Sequence, residues 1–265
     1  MHLKSRRPGL LVLLLLFFQG LPSLADTKLN QWQSADYIEK AFVEIAFKNE
    51  YKQTDFRLLK WETPIRYAFQ YHGLAPNSMI ENLFEVHLKQ LQQITQHPIE
   101  QVENAHDANL KILLTQDQHY RADIARFTQS TVPDIERNSH CMGSFKTGEN
   151  SAIINAVVIL PVDHIMSKGL LPACVVEETT QLLGLPNDSD WVAPSIANDS
   201  SKLDLLTGLD YLFLKILYSP ELKAGMPLDQ SLPIIRARIQ KLTKDGTVKD
   251  AQRNVNQQGL YSIFY

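Results

Sequence analysis

The spacing of hydrophobic residues predicts alternating strands and helices. Apolar and polar residues alternate in Arg57–Tyr71 and in Leu110–Leu114, as in strands with one buried face. Two further strands are predicted at Cys141–Lys146 and Ser151–Leu160, joined by a turn at residues 147–150. The last of these segments is almost continuously apolar, which predicts a strand covered on both faces. We therefore predict a mixed sheet of about four strands with helices packed on it.

Helices are predicted where apolar residues recur every three or four positions. Ser34 is placed to cap the first helix, and Ser78-Met79-Ile80-Glu81 has the spacing of a capping box for the second. Thr207-Gly208-Leu209-Asp210 has the same spacing before a later helix. The remaining helices are predicted around Ile124 and Phe127, over Leu171–Leu183 and over Leu232–Leu242. The polar segment Thr243–Gln258 is predicted to be a linker.

The N-terminus has the features of a secretory signal at residues 1–25. Basic residues precede an apolar run from Leu10 to Phe18, and Ser23-Leu24-Ala25 matches a cleavage site before Asp26. The apolar run is shorter than the ~20 residues needed to cross a bilayer, which favours cleavage over an uncleaved anchor. We predict a secreted or periplasmic chain with one domain over residues 26–245, a C-terminal tail over residues 246–265, and no membrane span after cleavage.

Cys141 and Cys174 are the only cysteines in the chain. Export would place both in an oxidising compartment, where disulfides persist. We therefore predict that they are joined, and two buried free thiols are the alternative. The bond would attach the helix over Leu171–Leu183 to the strand that begins at Cys141.

The charge of the chain argues against one class of partner. The formal net charge is −3 and 21% of the residues are charged, without a basic stripe that would neutralise a phosphate backbone. We therefore do not expect the chain to bind nucleic acid.

The helix over Leu171–Leu183 carries the residues that are most closely related to known chemistry. Zinc peptidases use the pattern H-E-x-x-H-x-x-G-x-x-H or D, in which the histidines bind zinc and the glutamate is the general base. Its five defined positions hold, in order, Glu177, Glu178, Gln181, Gly184 and Asn187. Glu178 therefore matches the general base, whereas both paired histidines are replaced.

Five segments carry a family resemblance: Trp61-Glu62-Thr63-Pro64-Ile65-Arg66, Cys141, the run from Cys174 to Asp188, Asp210 with Leu217-Tyr218, and Gly225-Met226. Together they resemble a family of secreted bacterial proteins catalogued as domain of unknown function 2927. The resemblance covers the chain from about Ser34 to Met226. It implies a single α+β domain of zincin-like architecture and no established activity.

The side chains at the motif are poor ligands for zinc. Zinc in proteins is bound by nitrogen, sulfur or carboxylate, so the Gln181 amide is a poor match. His140 and His164 lie upstream, and no histidine follows them. The segment Pro194-Ser195-Ile196-Ala197 has isoleucine where the metzincin branch of zinc peptidases has methionine. We therefore expect no resident cofactor.

Three interpretations of the motif remain open. In the one that we favour, the metal has been lost, and Glu177, Gln181, Asn187 and Asp188 line a cleft that binds a peptide or an envelope protein by strand addition. In the second, Glu178 is the general base of an atypical metal-dependent peptidase, and Glu177, Asn187 or Asp188 bind a hard ion such as calcium. In the third, these residues have only a structural role. Burial of Glu177 and Gln181 in a cleft would argue against the third interpretation.

Overall fold

A mixed sheet of six strands lies at the centre of the described residues. The computed structural model describes residues 31–48, 56–128, 130, 132, 134–198 and 200–265, and the predicted signal at residues 1–25 lies outside them. The strands are β1 (Lys60–Trp61), β2 (Ile65–His72), β3 (Ile99–Gln101), β4 (Leu110–Thr115), β5 (Met142–Thr147) and β6 (Ala152–Pro161). The prediction of about four strands was too low because β1 and β3 are too short to show an alternating pattern.

The strands follow the order β1-β6-β4-β2-β3, and β5 pairs with β6. The β5–β6 pair is antiparallel, whereas the other pairs are parallel. Ile153 pairs with both Trp61 and Thr147, so β1 and β5 lie on opposite sides of β6. β5 is therefore an edge strand of the described sheet.

The segment predicted as one strand over Arg57–Tyr71 forms two. It is interrupted at residues 62–64, and β2 begins directly after Pro64. Because proline has no N–H to donate to a ladder, the start of a strand is one of the few places where it is tolerated.

The helices surround this sheet. They are α1 (Ala35–Phe47), α2 (Ser78–Thr95), α3 (Asp117–Phe127), α4 (Ile135–Asn138), α5 (Val162–Lys168), α6 (Leu171–Gln181), α7 (Gly208–Leu217), α8 (Leu228–Lys244), α9 (Thr247–Asn256) and α10 (Tyr261–Phe264). A 3-10 turn occupies Gln31–Gln33. Residues Trp32–Tyr265 form one compact unit.

The two faces of the sheet pack against different helices. Val158 and Leu160 of β6 belong to the main core, which includes residues of α1, α2, α6, α7, α8 and α9. Val157 and Ile159 point the other way, into a smaller cluster with Tyr120 and Ile124 of α3. The prediction that this apolar strand is covered on both faces is confirmed.

Two of the three predicted helix caps are confirmed. The Ser34 hydroxyl accepts a hydrogen bond from Tyr37 N at the start of α1, and Thr207 and Asp210 form a reciprocal capping box at α7. The prediction of a capping box at Ser78 was wrong, because Asn77 caps α2 and accepts from Met79 N and Ile80 N.

The predicted linker at Thr243–Gln258 is also wrong, because α9 lies within it. Val248, Ala251 and Val255 are spaced along one face of α9 and are buried in the main core. These three apolar residues are separated by polar ones, which hid the helical period in a largely polar segment. The domain therefore continues through the region predicted to be a tail, residues 246–265, although Tyr265 itself is exposed.

Candidate functional site

The helix α6 lies against the edge strand β5, and Glu178 occupies the contact. Glu178 is buried, with 7% of its surface exposed. A Cβ atom added at Gly143 of β5 would lie 2.8 Å from Glu178 Oε2 and 3.3 Å from Leu182 Cγ. A side chain at position 143 would therefore displace the carboxylate. The predicted general base lies directly beside the backbone of the edge strand.

A disulfide between Cys141 and Cys174 joins α6 to the start of β5. Cys174 lies one turn before Glu178 on α6, and Cys141 directly precedes the first residue of β5. The predicted pairing is confirmed. It fixes the position of Glu178 relative to the edge strand through a covalent bond.

The end of α6 is held by hydrogen bonds from two aromatic side chains. Trp61 Nε1 donates to Leu182 O at 2.8 Å, and the Tyr218 hydroxyl donates to Leu183 O at 2.9 Å. Gly184 follows with φ of +114°, and a Cβ atom there would lie 2.0 Å from Leu59 O. The chain leaves α6 by a turn that only glycine accommodates.

Gln181 and Asp188 are brought together by this turn. Gln181 Nε2 donates to Asp188 Oδ1 at 2.7 Å, and both residues are half-buried. Glu177 is also half-buried. The Gln181–Asp188 bond connects the last turn of α6 to the loop beyond Gly184, as the structural interpretation of these residues expects.

Asn187, at the position of the third zinc ligand, is directed toward α1. Its Nδ2 donates to Glu44 O at 3.1 Å, and its backbone N donates to Ile45 O at 3.3 Å. The side chain is buried. The side-chain amide and the backbone N–H of Asn187 thus each bind one carbonyl group in the last turn of α1, where donors within the helix run out.

The residues at the zinc-peptidase positions do not fit zinc. Gln181 uses its amide to bind Asp188, and Asn187 uses its amide to bind the backbone of α1. Neither residue offers the imidazole or thiolate that zinc prefers. In the part of the chain that the structure describes, no group of three or more His, Cys, Asp or Glu side chains is placed to hold a metal ion.

The upstream histidines contact each other. His140 Nδ1 lies 2.9 Å from His164 Nε2, and the two rings stack.

A third histidine, His87 of α2, is completely buried, with Nε2 3.3 Å from Thr180 Oγ1 on α6. Burial lowers the pKa of His87 to about 4. This histidine is therefore neutral at physiological pH and packs α2 against α6.

The turn at Pro194-Ser195-Ile196-Ala197 is held by the buried carboxylate of Asp210. Ser195 Oγ donates to Asp210 Oδ1 at 2.6 Å, and Ile196 N donates to Oδ2 at 3.2 Å. Burial raises the pKa of Asp210, and these donors oppose that shift. The carboxylate connects the turn to the first turn of α7.

Comparison with known proteins identifies the family of this chain. The family model described as "Protein of unknown function (DUF2927)" matches residues 35–237. The chain belongs to this family. No curated protein matches it. The DUF2927 match includes the complete sheet and α6, and it ends within α8.

Tyr120 is a buried residue, with Glu178 in its charge environment, that was not predicted from the sequence. It lies on α3. Burial raises the pKa of its phenol, and the nearby Glu178 carboxylate raises it further. Its spacing of four residues from Ile124 on one helical face was a signal for burial, but nothing in the sequence indicated that it lies near Glu178.

None of the helices within the described ranges is long and apolar enough to cross a membrane. The Cys141–Cys174 disulfide is of the kind that persists in oxidising compartments outside the cytoplasm.

Proposed function

We propose that this protein is exported and binds an extended peptide segment of an envelope protein at the edge of β5, without hydrolysing it. The observation that carries the proposal is the position of β5, an antiparallel edge strand with α6 packed beside it. Extended peptides bind such edges by adding a strand, with main-chain hydrogen bonds supplying affinity.

The register of the sheet identifies the backbone groups that face outward. Ala156 N donates to Asn109 O on the β4 side of β6, so the next residue, Val157, directs its backbone groups toward β5. Val157 pairs with Ser144. The residues on either side of Ser144, which are Gly143 and Phe145, therefore direct their N–H and C=O groups away from β6. These groups are the ones available to an added strand.

The bonds made by the residues at the zinc-ligand positions favour binding over cutting. Gln181 and Asn187, at two of the zinc-ligand positions, use their amides in bonds within the fold. Glu178 lies against Gly143, one of the two residues whose backbone groups an added strand would bind. A bound peptide would therefore meet a fixed surface without an ion that activates water.

An envelope location is supported by two independent features. Residues 1–25 have the composition of a secretory signal, and the disulfide is typical of exported proteins. A partner protein in the periplasm or outside the cell follows from both.

Hydrolysis at the same edge is the second candidate function. The observation that favours it is Glu178, which is buried beside the strand that would hold the peptide. A carboxylate in that position is the expected general base of a peptidase.

Peptide selection followed by NMR tests the proposal. A random linear-peptide display library is selected on the immobilised protein, and an enriched peptide is titrated into the 15N-labelled protein. We expect the amide signals of Gly143 and Phe145 to shift and to become protected from exchange. Phe145→Pro removes the outward N–H and should abolish binding, whereas the matched variant Phe145→Leu keeps the N–H and should retain it.

The same peptides separate the two candidate functions. Mass spectrometry should find them intact after incubation with the wild-type protein. Cleavage by the wild type that is lost in Glu178→Gln would replace the binding proposal with hydrolysis. Failure to enrich any peptide, or equal binding by Phe145→Pro and Phe145→Leu, would refute strand addition.

A further inference from the structure

A polar pocket of about 310 Å³ lies away from the contact between α6 and β5. It is bounded by β1, by the residues that follow α2, and by the segment after α7. Lys60, Gln96, His97, Ser219 and Lys223 line it, whereas none of the residues predicted to form a site does.

Lys60 contributes a buried ammonium group to this pocket. The residue is 7% exposed, and its Nζ donates to Leu217 O at 3.1 Å and to Leu222 O at 3.0 Å. The Tyr218 ring lies 4.9 Å from the same nitrogen. An ammonium group has three donors, so one donor remains after the two carbonyl oxygens are satisfied.

The pocket contains more positive than negative side-chain charge. Lys60 and Lys223 are the cations, and Glu62 is the carboxylate, whose Oε1 accepts from Ala224 N at 3.0 Å. Burial and, to a smaller extent, the nearby Lys223 lower the pKa of Lys60 to about 8, although Glu62 opposes both effects. Burial also lowers the pKa of His97, so this ring is neutral at pH 7. An added negative charge would stabilise the Lys60 ammonium.

Ser219 adds a hydroxyl group that is not used by the described fold. The residue is 1% exposed, and its Oγ has no hydrogen-bond partner among the described residues. A buried hydroxyl without a partner is costly. Ser219 therefore provides a donor beside the two lysines.

The carbonyl ends of α2 and α7 weaken the attraction of this pocket for an anion. Two of these carbonyl groups are already bound within the fold. Gln92 O accepts from the backbone N of Gln96, and Leu217 O accepts from Lys60. The buried Lys60 and the exposed Lys223 supply the positive charge that would attract an anion.

We propose that this pocket binds a small anion that carries a carboxylate or phosphate group, held by Lys60, Lys223 and Ser219. Trp61 and Tyr218, which line the same pocket, also hold the end of α6. The amides of Leu183 and Gly184 should therefore report occupancy together with those of Ser219 and Lys223.

Titration of the exported, 15N-labelled chain tests this proposal, with sodium phosphate in one series and sodium succinate in another. Both are added at constant ionic strength against sodium chloride. We expect saturable shifts at the amides of Ser219 and Lys223 with at least one anion. Saturation by phosphate alone assigns phosphate-bearing ligands, and saturation by succinate alone assigns carboxylates.

Two variants and a matched control show whether these groups bind the anion. Lys223 is exposed, so Lys223→Gln should fold normally and weaken binding roughly tenfold, as expected for loss of a charged hydrogen-bond partner. Ser219→Ala removes the hydroxyl that no described residue binds, and it should also weaken binding. Lys168→Gln makes the same charge change at an exposed residue of α5, outside the pocket, and should have no effect.

The proposal also requires affinity to fall as pH rises through about 8, where Lys60 loses its proton. Lys223, Glu62, His97 and Tyr218 are the other titratable groups around it. Absence of saturation with both anions would overturn the proposal. Equal binding by the wild type, Lys223→Gln and Ser219→Ala would overturn it as well.

Discussion

The end of α6 and the Lys60 pocket use polar side chains in opposite ways. At the end of α6, Gln181 and Asn187 form bonds within the fold. In the pocket, the Ser219 hydroxyl has no hydrogen-bond partner among the described residues, and Lys60 keeps one donor beyond its two carbonyl oxygens. In the first region the polar side chains form hydrogen bonds that hold a turn. In the second region polar groups remain available to a ligand.

This difference shows that a residue can occupy a position of a known motif without being available to bind a ligand. The zinc-peptidase spacing located a helix that packs against the edge strand, although the side chains at Gln181 and Asn187 do not fit zinc. The Lys60 pocket has no motif, since its residues come from three distant segments of the chain. Binding capacity follows from which polar groups remain unused after folding.

The largest effect is expected at the turn after α6. Gly184→Ala places a Cβ atom 2.0 Å from Leu59 O at a φ of +114°, so the backbone must move. We expect a loss of at least about 4 kcal/mol in the free energy of unfolding, measured by urea denaturation. Gly169→Ala is the control, because Gly169 also has positive φ but has no atom within 4 Å of the added Cβ; it should lose only about 1 kcal/mol. Similar losses in both variants would contradict the close contact.

The disulfide at the other end of α6 should have the next largest effect. Replacing Cys141 and Cys174 by serine removes a bond between residues separated by 33 positions. The unfolded chain then gains conformational freedom worth about 3 to 4 kcal/mol. Chemical denaturation of the oxidised wild type and the double variant measures this difference, and equal stabilities would contradict a stabilising bond.

In the pocket, the buried charge of Lys60 should make stability depend on pH. Its pKa is about 8 in the folded chain, against 10.5 for an ordinary lysine. The unfolded chain binds more protons between these values, so stability should rise with pH across this window, by up to about 3 kcal/mol. Urea denaturation of the wild type and Lys60→Met checks this. The variant should lack that part of the rise, and parallel curves would show that Lys60 is not buried as an ammonium group.

The smallest expected effects compare the two regions directly. Gln181→Ala removes the bond to Asp188 and should cost about 1 to 2 kcal/mol in the free energy of unfolding. Ser219→Ala removes a buried hydroxyl for which the described part of the chain supplies no partner, and it should change stability by less than about 0.5 kcal/mol or increase it. Thermal or urea unfolding of both variants measures the contrast. A larger loss of stability in Ser219→Ala than in Gln181→Ala would contradict the assignment of a structural role to Gln181 and a ligand-binding role to Ser219.

The sequence was sufficient to predict the parts of the fold that depend on local patterns. The apolar run in β6, the cap at Ser34 and the capping box at Thr207 are all present. The helix α9 was missed because its apolar residues are few and are separated by polar ones. The cap of α2 was predicted one residue too late because asparagine and serine are both good N-cap residues. In the structure, Asn77 has the extended backbone conformation of an N-cap, and the helix begins at Ser78.

The candidate site was predictable only in outline. The position of Glu178 on α6 follows from the motif, and the disulfide follows from the cysteine count. The direction of the Asn187 side chain toward α1 depends on packing between segments about 140 residues apart. Tyr120 and the Lys60 pocket are likewise products of tertiary structure, which a single sequence does not encode in any local pattern.

Zinc content and peptide cleavage, measured on the same purified preparation, test the central claim most directly. Because Gln181 and Asn187 cannot replace imidazole as ligands and are engaged within the fold, we expect no stoichiometric zinc and no cleavage of the selected peptides. Tightly bound zinc, with cleavage that stops on chelation and returns when zinc is restored, would contradict the account.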